Sequence, residues 1–215
     1  MKKQYCAIIG DINKSRELRN RNKAQLLFGD AINAINKEFE REIASKFLIT
    51  IGDEFQGLLN TPAMSYHIVR RFQDIMKDIP FAFGIGIGTL ATKVNPQSAI
   101  GMDGECFYRA RAALIAAKKS GQEVLYDFDH PSSHLVNLTI GVIERRWKKA
   151  GEKQKLIMKL HKMNKSQTEI AEIVKTSQQN ISKTISSRSV KELDELVEGL
   201  LRYFQSFEKI QVTPK

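Results

Sequence analysis

Long apolar segments are missing from this sequence of 215 residues. No stretch of about 18 uncharged apolar residues occurs, so the sequence predicts no transmembrane helix. The N-terminal region turns polar by Asp11, which argues against a secretory signal peptide. We expect a cytoplasmic protein without a membrane partner.

Cysteine is also scarce. Cys6 lies in an apolar run, Cys106 lies near a predicted helix start, and neither belongs to a CxxC pair. Two cysteines placed in this way are too few for a disulfide framework or a zinc site. We expect both thiols to be packed in the core.

Acidic residues are fewer than basic ones, and the difference is uneven along the chain. Residues 1–140 carry 18 basic and 15 acidic side chains, a net charge of +3, whereas residues 141–215 carry 16 and 9, a net charge of +7. Such an excess is typical of a surface that binds polyanions. A solvated, Lys-rich helical surface is the alternative.

The order of apolar patterns predicts an α/β (α+β) fold for a first domain, residues 1–133. Strands are expected at 4–12, 46–51, 55–60, 81–90 and 123–128, with helices at 19–43, from 61 to before Pro80, and at 103–119. This β-α-β-β-α-β order with an added α-β is typical of a ferredoxin-like or palm antiparallel sheet with helices on one face.

Residues 134–215 carry helical periodicity alone and predict a second, all-α domain. Helices are expected at 135–147, 153–163, 167–174, 178–186 and 190–207. The last of them is broadly apolar, which is typical of a core helix. The seam of a homodimer is the alternative for that helix.

Three carboxylates are expected at one end of the predicted sheet. Asp11 ends the first strand, Asp53 and Glu54 form the tip of a hairpin, and the ferredoxin-like order makes the two strands neighbours. Clustered carboxylates raise one another's pKa unless a cation lies between them, and hard oxygen ligands suit Mg²⁺ or Mn²⁺. The alternative is a helix cap at Asp11 and an ordinary turn at the hairpin.

Four motifs in order resemble class III nucleotide cyclases: AIIGDI at 7–12, ITIGDEF at 49–55, FGIGIG at 83–88, and residues 104–113 followed by GQEV at 121–124. The GDEF tetrad also resembles the related GGDEF diguanylate cyclases. Over the whole chain, the sequence is similar to the SatD family of small bacterial proteins. The resemblance implies that Asp11 and Asp53 bind a metal ion, with the Ile12 carbonyl and Glu54 as further ligands.

A nucleotide is expected beside this metal. The candidate residues are three glycines at alternate positions of one strand and five residues around the start of the following helix: Gly84, Gly86, Gly88, Asp103, Gly104, Tyr108, Arg109 and Arg111. A helix N-terminus attracts phosphate. Alternate glycines place one bare face of a strand against either a ligand or a packed helix, and both interpretations stay open.

Three positions depart from the cyclase pattern. The resemblance puts Ile49 where adenylate-specific cyclases carry a base-reading Lys, Tyr108 where a ribose-orienting Asn is usual, and Ala112 where an Arg stabilises the transition state. Losing one such preorganised contact commonly costs about 10²–10³ in rate. We therefore expect the domain to bind metal and nucleotide with little or no cyclisation.

Residues 167–188 resemble a helix-turn-helix, with a turn at 175–177 and a second helix rich in amides and hydroxyls. Such side chains hydrogen-bond base edges, while Lys and Arg contact phosphates. The expected DNA-binding residues are Lys175, Ser177, Gln178, Gln179, Asn180, Ser182, Lys183 and Arg188. A plain helical hairpin that packs on the palm is the alternative.

The sequence favours a homodimeric, DNA-binding transcription regulator whose cyclase-like domain senses a nucleotide. The main alternative is a nucleotide cyclase or other phosphoryl-transferring palm enzyme with a basic helical accessory domain. A palm that serves only as a dimerisation scaffold is a third hypothesis.

Overall fold

The computed structural model describes residues 3–13, 21–77 and 79–212. The start of the first expected helix, residues 19–20, lies outside these residues. Five strands and eight helices follow one another along the described chain: β1 (Gln4–Ile12), α1 (Arg21–Glu38), β2 (Ile43–Ile51), β3 (Glu54–Leu59), α2 (Ser65–Met76), β4 (Phe81–Thr89), α3 (Glu105–Ser120), β5 (Val124–Asp127), α4 (Ser133–Lys149), α5 (Glu152–Lys162), α6 (Gln167–Val174), α7 (Gln178–Ile185) and α8 (Arg188–Val212).

The strands form one sheet in the order β2-β3-β1-β4-β5. Its first four strands are antiparallel neighbours in the ferredoxin-like order, so the palm fold expected from the sequence is confirmed. The fifth strand pairs with β4 in the parallel direction. This parallel pair follows from the chain, because a helical crossover, α3, returns the backbone to the sheet in the same direction.

Helices cover both faces of the sheet, rather than the single face expected from the sequence. On one face, phenylalanines of α1, α2 and the strands pack together, with the rings of Phe55 and Phe72 stacked at 4.6 Å between centroids. On the other face, α3 packs against β1 and β4, where Ala7, Ile9 and Cys106 share a buried cluster. Both cysteines are buried, as expected.

Two glycines of β4 let α3 approach the sheet at backbone distance. A Cβ atom on Gly84 would lie 2.0 Å from the carbonyl oxygen of Ala110, and one on Gly86 would lie 2.1 Å from that of Cys106. A Cβ on Gly88 would lie 2.9 Å from the Glu105 side chain. The helix therefore fills the space beside these three glycines, so packing accounts for their alternate spacing.

Two of the helix boundaries that differ from those expected have a local cause. Helix α1 ends at Glu38 instead of 43, because Ile43 already pairs with Leu59 in the β2–β3 ladder. Helix α2 begins at Ser65 instead of Pro62, since both the amide and the hydroxyl of Ser65 donate to the Pro62 carbonyl in a preceding turn.

The chain divides into two compact units, Met1–Leu138 with Leu201–Lys215, and Thr139–Leu200. In the first unit, the ring of Phe204 stacks on that of Tyr126 at 5.2 Å. In the second, α5, α6 and α7 enclose a small core of Ile157, Ile170 and Ile181.

Five apolar side chains of α8 are buried within the chain: Val190, Leu193, Val197, Leu200 and Phe204. Among the described residues, none of the helices is long and apolar enough to cross a bilayer.

We predict that Gly86→Ala lowers the free energy of unfolding by about 3 kcal/mol or more, because the new methyl group collides with helix backbone that cannot turn away. Gly29→Ala is the matched control, since a Cβ there meets nothing within 4 Å inside α1. It should raise stability by up to about 1 kcal/mol. Urea denaturation of both variants tests this, and equal stabilities would contradict the close approach of α3.

Candidate functional site

The structure brings three carboxylates together at one end of the sheet. Asp11 in β1 lies directly opposite Glu54, the first residue of β3. The amide of Ile12 donates to the carbonyl of Asp53 at 3.0 Å, which ties the hairpin tip to the end of β1. Asp53 therefore lies beside both other acidic residues.

Two cations from α3 meet these carboxylates. Lys118 forms an ion pair with Asp11. Arg111 donates hydrogen bonds to both carboxylate oxygens of Glu54, with Nη2 2.8 Å from Oε1. The Thr50 hydroxyl donates to the same oxygen at 3.1 Å. The Asp11 and Glu54 side chains are only 16% and 14% exposed, so these ion pairs are shielded better than ordinary surface pairs.

The pKa values of Asp11 and Glu54 are shifted in opposite directions by this environment. Burial raises the pKa of Asp11, and the nearby charges of Asp53 and Glu54 add to the effect, while Lys118 opposes it. The hydrogen bonds from Arg111 lower the pKa of Glu54, against a smaller effect of burial. The site thus holds one carboxylate that burial destabilises in its charged form and one that a bidentate arginine stabilises.

The donor set suits a hard divalent cation whose coordination is completed by other oxygens. Within the described residues, no three His, Cys, Asp or Glu side chains are grouped so as to hold a metal ion by themselves. Mg²⁺ is commonly bound through one or two carboxylates together with phosphate oxygens and water. Asp11 and Asp53 fit that pattern, whereas an all-protein cage does not fit the residues present.

A second candidate surface lies in helices α6 and α7. Helix α6 begins with a reciprocal capping box between Ser166 and Glu169, and the Ser177 hydroxyl caps α7 by accepting from the Asn180 amide at 3.3 Å. Lys175 occupies the turn in the left-handed conformation (φ 52°), where glycine is commonest. The amide, hydroxyl and amine side chains of α7 point to solvent at Gln178, Gln179, Asn180, Ser182 and Lys183.

The family model of SatD matches residues 5–194. The chain belongs to the SatD family. No curated protein matches the sequence closely enough to count as a relative.

Among solved structures, this SatD family chain is similar to the non-canonical dimeric guanylyl cyclase domain of the RhoGC fusion protein from the aquatic fungus Blastocladiella emersonii. The two are 15% identical, with 53% of this chain and 74% of that chain covered and a TM-score of 0.39. It is also similar to the guanylate cyclase domain of RhGC from Catenaria anguillulae in complex with GTP, at 16% identity, 53% and 72% coverage, and a TM-score of 0.35.

In this SatD protein, most of the expected nucleotide-binding residues lie away from the carboxylates. Gly104 and Asp103 are at the start of α3, next to the end of β4, and Tyr108 is 64% exposed one turn later. Lys118 follows Gly104 by fourteen positions along the helix, a rise of about 21 Å.

Arg109 is also engaged elsewhere, with Glu105 at 2.7 Å and Asp127 at 3.3 Å. Of the expected nucleotide-binding side chains, Arg111 alone contacts the carboxylate cluster. The end of the sheet that holds the acidic residues is therefore separate from the start of α3.

Lys118 is the residue that sequence reasoning missed. It follows Arg111 by seven residues, so the two side chains lie two turns apart on the same side of α3. That spacing was visible in the sequence. The partner of Lys118 was not, because it depends on which face of the sheet the helix covers.

The opposite pKa directions predict opposite effects of two neutral substitutions in metal-free buffer. Glu54→Gln should destabilise the protein by about 1 kcal/mol at neutral pH, since Arg111 loses its charged partner. Asp11→Asn should leave stability equal or higher, since it removes a half-buried charge whose folded-state pKa is raised.

Both differences should shrink in acid, the one at Asp11 as the pH falls through its raised folded-state pKa and the one at Glu54 at lower pH, below about 4. The stabilising contribution of Glu54 is present above its unfolded pKa and is lost as the pH falls through the lower folded value. The contribution of Asp11 is present in acid and is lost as the pH rises through its raised folded value. Denaturant titrations at several pH values measure both, and effects of the same sign at neutral pH would refute the assignment.

Proposed function

We propose that the palm of this SatD family protein binds a nucleoside triphosphate through a divalent cation, Mg²⁺ or Mn²⁺, held by Asp11 and Asp53. The observation that carries the proposal is the meeting of carboxylates from β1 and the β2–β3 hairpin with two α3 cations. An ordinary role as a turn residue would be enough to explain why an aspartate is found at position 53 of the hairpin. It does not explain why two half-buried acids and two basic side chains converge at one end of a sheet.

Each residue has a distinct part in this proposal. Asp11 and Asp53 would hold the cation, with the Ile12 carbonyl and Glu54 as further oxygen donors. When bound, the cation would neutralise phosphate charge. Lys118 and Arg111 already lie beside the same carboxylates, so phosphate oxygens at this place would find two positive donors within reach.

The proposed role of the palm is to bind the nucleotide, and turnover of that nucleotide is expected to be weak or absent. Ile49 is partly exposed on β2 and offers no hydrogen bond to a base, Tyr108 lacks the amide that would orient a ribose, and Ala112 offers no guanidinium for a transition state. We therefore propose a nucleotide-responsive domain with little or no cyclase activity. A cyclase or another phosphoryl-transferring enzyme is the alternative, and product formation distinguishes the two.

A second function is proposed for the helical unit, namely binding of duplex DNA through α7. The supporting observation is a three-helix core that leaves the whole polar side of α7 exposed, with glutamines and asparagine near its N-terminus. Arg188 also lies at the surface, where it pairs with Glu192 at 2.7 Å. A homodimer would present two such helices to half-sites about 10 base pairs apart or a multiple of that.

The metal site is tested by thermal melting with Mn²⁺ and each of the four ribonucleoside triphosphates. A nucleotide at 100 times its Kd contributes about 2.7 kcal/mol, which raises the Tm of a protein of this size by roughly 5 °C or more. Asp53→Asn should abolish this shift, whereas Asp30→Asn, the same change at an exposed position of α1, should keep it. A full shift in Asp53→Asn would contradict the site. Cyclic nucleotide formed at micromolar protein would favour the enzyme.

DNA binding is tested by fluorescence titration on genomic fragments, including the region upstream of the protein's own gene. Lys183→Ala should weaken binding to every sequence and make the salt slope about one unit less steep. Gln179→Ala should cost about 1–3 kcal/mol on the preferred site alone, with Gln25→Ala on α1 as its control. Absence of binding at low salt would remove this function and leave the palm.

A further inference from the structure

The basic excess of the helical part lies almost entirely before the helix-turn-helix. Residues 141–165 carry nine basic and two acidic side chains, a net charge of +7, whereas residues 166–215 carry seven of each. The helix-turn-helix itself, residues 167–188, has a net charge of only +1. The electrostatic footprint for a polyanion is therefore centred on the second half of α4 and on α5, not on α7.

Some of these basic side chains form ion pairs within the folded unit. Several of the nine cations form ion pairs with carboxylates of the same unit, among them Arg146 with Glu192, Lys155 with Glu152, Lys162 with Asp194 and Lys165 with Glu169. Arg145, Lys149 and Lys153 are exposed, and no carboxylate in the described part of the chain pairs with them. These three residues are termed the basic corner.

The basic corner is compact because of where its residues lie along the chain. Arg145 and Lys149 are four residues apart near the end of α4 and share one side of that helix. Lys153 follows Lys149 by four residues across the turn into α5, so their Cα atoms are at most about 14 Å apart. Three exposed cations are thus held at one bend of the backbone.

Helix stability does not account for the whole corner. Lys149 in the last turn of α4 complements the helix dipole, and that is a sufficient structural reason for this lysine. Lys153 is different, because it lies in the first turn of α5, where the dipole disfavours a positive charge. Glu152 precedes it in the same turn but pairs with Lys155, so Lys153 has no ion-pair partner among the described residues and is available to an external anion.

We propose that the basic corner binds the phosphate backbone of duplex DNA next to the bases that α7 contacts. The inference rests on the DNA binding proposed above and assigns most of its sequence-independent affinity to Arg145, Lys149 and Lys153. Duplex DNA is favoured as the partner because the corner belongs to the same compact unit as α6 and α7. Phosphate contacts position such a protein, while base contacts select the sequence.

The test compares two full-length triple variants that lose the same charge. Arg145→Gln/Lys149→Gln/Lys153→Gln removes the corner, and Lys37→Gln/Arg41→Gln/Lys93→Gln removes three exposed cations of the palm unit. Each is titrated with a labelled duplex of about 30 base pairs, of preferred and of scrambled sequence, between about 50 and 200 mM salt. Thermal melting checks that both variants are folded.

The corner variant should bind both duplexes roughly tenfold or more weakly, with a salt slope about 2 to 3 units less steep, because each lost phosphate contact contributes about 0.9. The palm variant should change the slope by less than one unit. An unchanged slope in the corner variant, or equal changes in both variants, overturns the inference while wild-type binding still supports the DNA function.

Failure of the DNA function itself gives a different result. Wild-type protein that binds neither duplex at 50 mM salt removes both proposals. Corner-dependent binding to phosphatidylserine vesicles, in the absence of DNA binding, would then assign the corner to a lipid surface and overturn the inference as stated.

Discussion

The backbone contact between α3 and strand β4 is the constraint on which the candidate site depends. Gly84 and Gly86 remove the side chains that would hold the helix away from the sheet, so its backbone lies where their Cβ atoms would be. The helix then runs along β1 and delivers Lys118 to Asp11 and Arg111 to Glu54. Without this close approach, the two cations would have no defined position relative to the carboxylates.

The start and the end of α3 lie in two separate regions, although the sequence motifs place the nucleotide-binding residues and the carboxylates in one site. The start of α3 lies at the far end of the sheet, where Gly104 contacts the end of β4 and Arg109 is engaged by Glu105 and Asp127. The end of α3 lies at the carboxylates. A phosphate group bound beside Asp11 and Asp53 would therefore meet the last turns of this helix, not its N-terminus.

In the helical unit, hydrogen-bonding side chains and net positive charge likewise lie on different elements. Helix α7 exposes hydrogen-bonding side chains but little net charge, whereas the net positive charge of residues 141–215 lies before residue 166, in α4, α5 and the turns beside them. Such a division suits a protein in which one surface supplies affinity and another supplies selectivity. The capping serines of α6 and α7 hold these short helices in place, since eight residues are too few for a helix to be stable alone.

Local patterns in the sequence by themselves determined most of the elements. The glycine-aspartate tip between β2 and β3, the alternating order of strands and helices, and the short helices α6 and α7 were all predicted within a few residues, because each depends on neighbours along the chain. The convergence of Asp11, Asp53 and Glu54 was also predicted, since the ferredoxin-like order makes β1 and β3 adjacent. These features required only periodicity, turn chemistry and a known strand order.

The tertiary structure alone decided which face α3 covers and therefore which charges meet. Arg111 and Glu54 are 57 residues apart, and nothing in the spacing of either residue specifies the other. Whether alternate glycines admit a ligand or a helix was likewise open in the sequence, because both need the same bare strand surface. The choice follows from the packing of a whole helix against a whole sheet, a property that no single segment of the chain carries.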